Sequence, residues 1–555
     1  MSHKTKNSIV LLSLLIIGLV SIYPFFFGDY VHHHDDLIFH RTRMESYYEA
    51  VRHFDFFPKV FSGMGNNYGY AADLFYPSIL LLPFALLRMV GLPFVQAFFA
   101  YQVLISVLTA SLAYYAYRSI KKPRRYALLF SCVYTLCTYR LIDQSARFAL
   151  GEVWAFAFLP LLALGVYTIL YTDHKRWMLT AVAMSLLISS HFLSSLIVCV
   201  LLLLFLLYNY RLLNKPALIA FLKAAVCCLA LSVWILLPVI EQTRGLTFNF
   251  MNTELSASSL KFTLGDLVTN SLATMSVPYT AINPNVGVAL LTVLVIALLS
   301  YKNLSSVNKQ LLLLSVLLFV ASTNLFPWAI FKSGFLGTIQ FSWRLLLPCS
   351  FFLSLLAASL AEQFKVATLK KISSLILILF MITLSFNVNI FEESLPDSSF
   401  KTTNENAQTF YGTELGHGKE YLLTEVNSEE ALRNPYPIIN GYKYVSFEHP
   451  PLNAYNYGEY TIIADQTSEL LLPKFFYKGY EVLDNNQPVR YYMKNGLVGL
   501  QLDKGTHVIT IRYVKTLLQQ LSLFLSGIAW FVVCFLGLAN ILQVKQHAQG
   551  KGFAE

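Results

Sequence analysis

The sequence predicts a polytopic α-helical membrane protein, about 12 transmembrane helices carrying one small extracytoplasmic β-sandwich domain. Three observations predict it. Apolar residues make up 56% of the 555 and charged residues 13%, against roughly 25% in an ordinary globular protein, and mean hydropathy is +0.54. So few charges cannot cover the surface of a soluble multidomain chain. Forty-one Lys and Arg against 31 Asp and Glu leave a net charge of +10, and the basic residues sit mainly in short loops between apolar runs. That is the positive-inside pattern of a membrane protein, not a nucleic-acid-binding surface. The third observation is one long hydrophilic stretch near the C-terminus whose second half alternates like sheet. All seven cysteines, Cys132, Cys137, Cys199, Cys227, Cys228, Cys349 and Cys534, fall inside apolar runs, without disulfide-framework or zinc-ribbon spacing.

Loop charge sets the expected topology. Ile9–Phe27 follows Lys4 and Lys6 and lacks a small-residue cleavage site, which predicts an uncleaved first span with its N-terminus inside. The next basic loop, Lys121 to Arg125, requires one return span, Pro93–Tyr117, and leaves Tyr76–Val90 lying at the outer face. The inner loops at Asp173 to Arg176 and at Arg211 to Lys215 make Tyr126–Tyr139 and Val153–Tyr171 one out-and-back pair. They also divide Trp177–Tyr208 into two crossings meeting near His191. Further spans are expected at Ala217–Ile240, Val286–Tyr301, Leu311–Leu325, Trp343–Leu360, Ile372–Ile390 and Leu517–Leu542, with both termini inside. The division is therefore 1–390 as transmembrane catalytic domain with a first outer loop at 28–75, 391–515 as outer β-rich domain on a tether, and 516–555 as final span and tail. In the β-rich part, Asp484-Asn485-Asn486, Lys494-Asn495-Gly496 and Asp503-Lys504-Gly505 punctuate successive strands at hairpin spacing.

The ionisable groups gather in the outer loops. The first holds five of the 12 histidines, His32, His33, His34, His40 and His53, with Asp35, Asp36 and other acids. If the chain is helical from Asp36, then Asp36, His40, Arg43 and Tyr47 share one face, an acid, an imidazole and a guanidinium on a single stripe. The competing reading makes Asp35 a helix cap and turns the rest to water. Asp143 and Arg147 read as an i, i+4 surface ion pair of little consequence. Glu152 stands at the mouth of an apolar helix, where a carboxylate needs a partner or a task. His191 sits at the outer turn between two spans, as cap or as ligand. Gln340, Trp343 and Arg344 open another span at the same face, Arg344 either snorkelling to head groups or binding a phosphate bidentately; Glu241 and Arg244 offer a second such pair. The run His32 to Asp36 would suit zinc or manganese by ligand type, but adjacent residues cannot all ligate one ion. No metal site is assigned; Asp35 and His34 are the residues that would reach a divalent cation, Mg or Mn, if one took part. Gly-rich phosphate loops, G-x-S-x-G and nucleotide fingerprints are missing from the sequence.

An outer site has no cytosolic nucleotide sugar to draw on, so its activated substrate must arrive in the membrane, and a sugar on a lipid phosphate fits. Transfer then needs a carboxylate to take the acceptor proton and cations to stabilise the departing phosphate. The first outer loop, the stretch "ARFALGEVWAFAFLPLL", the hairpin "LLISSHFLSSL", the run "IQFSWRLLLP" and the outer "LPKFFYKGYEV" domain resemble the YfhO-like branch of the GT-C membrane glycosyltransferases, over nearly the whole chain. Similar bacterial proteins are often labelled as a 6-pyruvoyl-tetrahydropterin-synthase-related membrane domain. The resemblance implies a GT-C-like fold and an inverting hexosyl transfer from a polyprenyl-phosphate sugar, with an aspartate of the first outer loop, Asp35 or Asp36, near the reaction centre. Glu152 completes the expected catalytic set; Arg344, with Arg43 and Arg244, would hold donor phosphate; His40, Tyr76, His191, Gln340 and Trp343 would contact substrate. The implied partners are an undecaprenyl-phosphate-linked sugar, a cell-envelope glycopolymer or glycolipid acceptor, membrane lipid, and a polyprenyl-phosphate sugar synthase and flippase, with no nucleic acid. An O-antigen-type ligase or polymerase, a lipid-linked-sugar transporter and a non-catalytic scaffold are the rival readings. The charge-free spans speak against the transporter.

Overall fold

The computed structural model describes residues 3–23, 28–32, 35–274, 283–334, 336–363, 401–407, 414–446, 448 and 450–551. The expected span Ile372–Ile390 and the residues His33 and His34 lie outside them. Five helices are long and apolar enough to cross a membrane: Phe94–Ser119, Leu150–Tyr171, Lys215–Thr243, Ser342–Gln363 with its 3-10 first turn, and Leu517–Ala539. Shorter apolar helices include Thr5–Val20, Phe192–Tyr208, Gly287–Leu299 and Ser306–Ala321. The chain is a multi-pass membrane protein. Tyr76–Val90 forms a 3-10 turn at Ile79–Leu81 and an 8-residue helix, Leu82–Met89, too short for a hydrocarbon core needing roughly 20 residues.

Trp177–Tyr208 divides at His191, where its two helices are expected to meet; His191 is extended (φ −155, ψ 108) and its Nδ1 accepts from the Ser194 amide at 3.3 Å as the cap of the second helix. One expected span is interrupted. Tyr126–Tyr139 is not one helix. Arg124–Thr135 ends, Cys137 is extended, and a second helix, Thr138–Ser145, follows with all its residues buried. Its Arg140 donates to Thr135 O, Gln144 Oε1 and Ser106 Oγ at 2.9 to 3.0 Å. A continuous helix would carry that guanidinium into apolar surroundings without those partners.

Leu150–Tyr171 is the central helix, with 83% of its apolar window buried inside the protein, against 11% for Leu517–Ala539, which lies on the outside of the molecule. Gly165 lets the central helix touch Trp177–Ser190, since a Cβ there would stand 2.8 Å from the Thr180 nitrogen. Ser526 of the last helix inserts its hydroxyl into the ladder of Lys215–Thr243, donating to Ala230 O (2.9 Å) and accepting from Trp234 N (3.1 Å), one turn before Pro238.

The strands, in chain order, are β1 (Tyr30–His32), β2 (Lys401–Thr403), β3 (Ile438–Ile439), β4 (Tyr442–Lys443), β5 (Leu452–Ala454), β6 (Tyr457–Ala464), β7 (Ser468–Phe475), β8 (Tyr480–Asp484), β9 (Gln487–Pro488), β10 (Tyr492–Lys494), β11 (Leu497–Leu502) and β12 (Gly505–Tyr513). Two antiparallel sheets, ordered β10-β11-β7-β3-β4 and β5-β6-β12-β8-β9, make the sandwich, and β1 pairs with β2. Positive φ at Asn485 (49°) and Asn486 (64°), and at Asn495 (52°) and Gly496 (72°), builds the β8–β9 and β10–β11 hairpins, as expected for two-residue turns. Asp503-Lys504 is not a hairpin turn. It carries the chain from one sheet to the other, because β11 pairs with β7 while β12 pairs with β6 and β8. Alternating burial looks the same in either arrangement.

Nor does the sandwich hang on a tether. Phe475 N donates to Tyr68 O (2.9 Å), Asn66 Nδ2 to Leu432 O (3.1 Å), Tyr68 OH to Asn434 O (2.6 Å), and Lys515 Nζ to Asp55 Oδ1 (2.9 Å). Lys478 Nζ donates to the carbonyls of Glu241 (2.7 Å) and Arg244 (2.6 Å). One hydrophobic core runs from the first loop into the sandwich. The first loop and the β-rich part therefore pack against each other.

Candidate functional site

The helix that follows the first span, Leu37–Arg52, starts at Asp36, whose side chain makes no capping hydrogen bond. Its polar face does not turn to water. His40, Arg41, Thr42, Arg43, Glu45 and Tyr47 are buried, and Glu45 is paired with Arg88 at 2.8 Å. Asp35 and Asp36 are half-buried. The Asp36 amide donates to Arg147 O at 3.1 Å, and the Asp35 carboxylate stands 3.7 Å from Arg147 Nε. Asp35 has φ +40, Phe148 φ +54 and Gln340 φ +62, so three chain segments reach this place in left-handed conformations, each costing of order 1–3 kcal/mol for a non-glycine residue.

Arg147 is where the segments meet. Its Nη1 donates to Asp143 Oδ1 at 2.7 Å and lies 3.5 Å from Glu152 Oε1. The same Glu152 oxygen accepts from Arg344 Nε at 3.1 Å, and Oε2 accepts from Tyr139 OH at 3.0 Å. Arg344 Nη1 donates to Ile339 O (2.8 Å) and to Gln340 Oε1 (2.7 Å). Asp35, Arg147, Glu152 and Arg344 thus form one chain of ion pairs running from the first loop across the central helix to the start of Leu346–Gln363. The pair Asp143–Arg147, expected on a helix surface, is buried, with side-chain exposures of 0% and 4%. Burial and the neighbouring Asp35 charge push the Asp36 carboxyl up to about 7, against the opposing pull of Arg147 and Arg344. Burial, with Arg43 acting in the same direction, holds His40 well below the usual imidazole range, so its ring is neutral.

Tyr76 fills the space beside this chain. Arg43 lies 3.9 Å above its ring and donates to Tyr76 O (3.0 Å), Pro77 O (2.7 Å) and Ser78 Oγ (3.1 Å). Those bonds commit Arg43 to the turn at 76–78 and make it a support for Tyr76 in place of a free phosphate ligand. The rings of His40 and His191 flank Tyr76 at 5.8 and 6.3 Å. Gly151, one residue before Glu152, lets Tyr76 OH and the Ser190 carbonyl close in, a Cβ there standing 2.8 Å from Ser190 O and nearer still to the hydroxyl. Gly151→Ala is therefore expected to displace Tyr76 and lower thermal stability by about 1–3 kcal/mol, the usual range for overpacking. Melting of the purified variant checks this.

Other expected site residues lie apart. Arg244 is exposed at the end of Lys215–Thr243, its carbonyl taken by Lys478, and it does not join the cluster. Trp343 turns to Phe341 (4.9 Å) and Phe262 (5.8 Å). Gln340 reaches the site as a ligand of Arg344. Among the described residues no three His, Cys, Asp or Glu side chains converge to hold a metal ion, and Asp35 instead faces Arg147. Tyr139, Asp143 and Arg147 were not expected; polar residues at 139, 140, 143, 144 and 147, all around one short helix, were the available signal. Glu420, from the segment leading into the sandwich, adds negative charge near Asp36.

No protein-family model matches the chain, and no curated protein matches it in sequence. Among solved structures, a cryo-EM structure of the arabinofuranosyltransferase AftD from Mycobacteria is similar over 69% of this chain and 26% of its own, at 14% identity and a TM-score of 0.41. A structure of an AftD mutant gives 68% and 27%, at the same identity and score. The chain thus spans about a quarter of the length of those proteins, 26% and 27%.

Proposed function

We propose that this chain is an integral-membrane glycosyltransferase of GT-C type, moving a sugar from a polyprenyl-phosphate donor to a cell-envelope polymer or glycolipid on the outer face of the membrane. The observation that carries the reading is the ion-pair chain itself: two half-buried aspartates of the first loop, on which the β-rich part docks, beside two buried arginines. In the proposed step Asp36 takes the proton of an acceptor hydroxyl. The acceptor oxygen attacks the anomeric carbon, the bond from that carbon to the phosphate oxygen breaks, and its electron pair leaves on the lipid phosphate beside Arg344, inverting the anomeric centre. A phosphate needs little protonation to leave, so one base and cationic stabilisation suffice. Asp35 keeps Asp36 basic enough to act near neutrality.

Two measurements test this. Membranes holding the chain, supplied with polyprenyl-phosphate lipids extracted from the host, should release unglycosylated lipid phosphate as acceptor is modified; no release above membranes lacking the chain would remove the reading. Release should also rise with pH through about 7, since the active form of Asp36 is the carboxylate. Stability has the opposite slope. The folded carboxyl holds its proton up to about 7 and the unfolded one only to about 4, so this group makes folding less favourable as pH rises between those values.

A further inference from the structure

The geometry points to a second phosphate ligand: Arg147 holds the lipid phosphate jointly with Arg344, and Glu152 is the positioning residue that brackets the two guanidiniums. This rests on the glycosyltransferase reading above. Both arginines address one oxygen, Glu152 Oε1, at 3.5 and 3.1 Å. Two guanidiniums that close repel each other in a buried setting unless an anion lies between them, and Glu152 supplies that anion. Its other oxygen accepts from the Tyr139 hydroxyl at 3.0 Å, so each oxygen of Glu152 already accepts from a donor, while the Asp143 carboxyl lies beside it. A carboxylate held in this way is poorly placed to take a proton from an acceptor.

The remaining donors of the two arginines point to what they are for. Arg344 uses Nε on Glu152 and Nη1 on Ile339 O and Gln340 Oε1. Arg147 uses Nη1 on Asp143 and more distantly on the Tyr139 hydroxyl, at 3.5 Å, and its Nε faces Asp35. Neither Nη2 group hydrogen-bonds a described residue, although the two arginines are only 3% and 8% exposed. Two unpartnered guanidinium edges, locked on either side of one carboxylate, match a tetrahedral dianion that accepts from both. Asp143 fixes Arg147 at 2.7 Å as Gln340 fixes Arg344, so neither cation has to be ordered when the phosphate arrives.

The test uses the full chain in detergent, with undecaprenyl phosphate as probe and undecaprenol as the uncharged control. The wild type is expected to prefer the phosphate. Arg147→Lys and Arg344→Lys, which keep the charge and lose the fork, should each raise Kd by about tenfold, and the double variant should fall short of the product, as expected for partners on one ligand. Glu152→Gln keeps shape and removes the charge that brackets the two guanidiniums. It should bind the phosphate several-fold more weakly, and at saturating donor lose no more than about tenfold in lipid-phosphate release, well short of the 10²-fold or greater loss expected of a missing base. Unchanged affinity in Arg147→Lys with weakened affinity in Arg344→Lys would overturn the inference and leave the glycosyltransferase reading standing. Loss of release in Glu152→Gln with binding intact would also overturn it, and this arm decides alone if Arg147→Lys does not fold. Equal binding of the two lipids by the wild type would remove both.

Discussion

Under the proposed function, Asp36→Asn is expected to lower sugar transfer by about 10²- to 10⁴-fold, the range for loss of a positioned general base, and to leave the melting temperature near that of the wild type. The side chain makes no capping hydrogen bond, so its removal takes little from the helix it precedes. With Asn the charge is gone while shape persists, which separates proton transfer from packing. Asp35→Asn has a smaller effect of a different kind. It removes the negative neighbour that helps push the Asp36 carboxyl up to about 7, so the rising limb of the pH profile moves to lower pH while much of the maximal rate remains. Lipid-phosphate release across pH in the two variants measures both effects.

Arg147→Leu has the largest expected effect on stability, about 3–5 kcal/mol, the usual result of deleting one member of a buried charge network. Among the described residues, Asp143 would be left as a buried carboxylate without an ion-pair partner and Glu152 with Arg344 alone, at side-chain exposures of 0% and 1%. Arg512, paired with Glu481 at exposures of 58% and 41%, gives the contrast, and Arg512→Ala should change stability by less than about 1 kcal/mol. Thermal melting of the purified variants decides between these magnitudes. The same comparison explains why the sequence undervalued Arg147: an i, i+4 Asp–Arg pair is written identically whether the helix lies in water or under other helices.

Local features were legible where the cause is local. His191 caps the helix that follows it, and the asparagines at 485, 486 and 495 mark two hairpins, because capping and left-handed turns depend on neighbouring residues. The approximate bounds of the long apolar helices also follow from the sequence, since hydropathy acts over the length of one helix. Long-range partners were not legible. The role of Arg43 depends on the carbonyls of Tyr76 and Pro77, more than thirty positions away, and that of Glu152 on Arg344, 192 positions further along the chain. The docking of the sandwich rests on single hydrogen bonds such as Phe475 to Tyr68, which leave no periodicity to read. The break between Thr135 and Thr138 carried a weak signal, the polar positions at 140 and 144, which an apolar count over the whole stretch hides.

Imaging the protein with undecaprenyl phosphate at near-atomic resolution tests the central claim most directly. The account predicts the phosphate within hydrogen-bond distance of the Nη2 groups of Arg147 and Arg344, with Asp36 facing the open side on which a sugar would sit. A phosphate bound at Arg244 or elsewhere on the surface, with the Asp35 to Arg344 chain unchanged and closed to lipid, would contradict it.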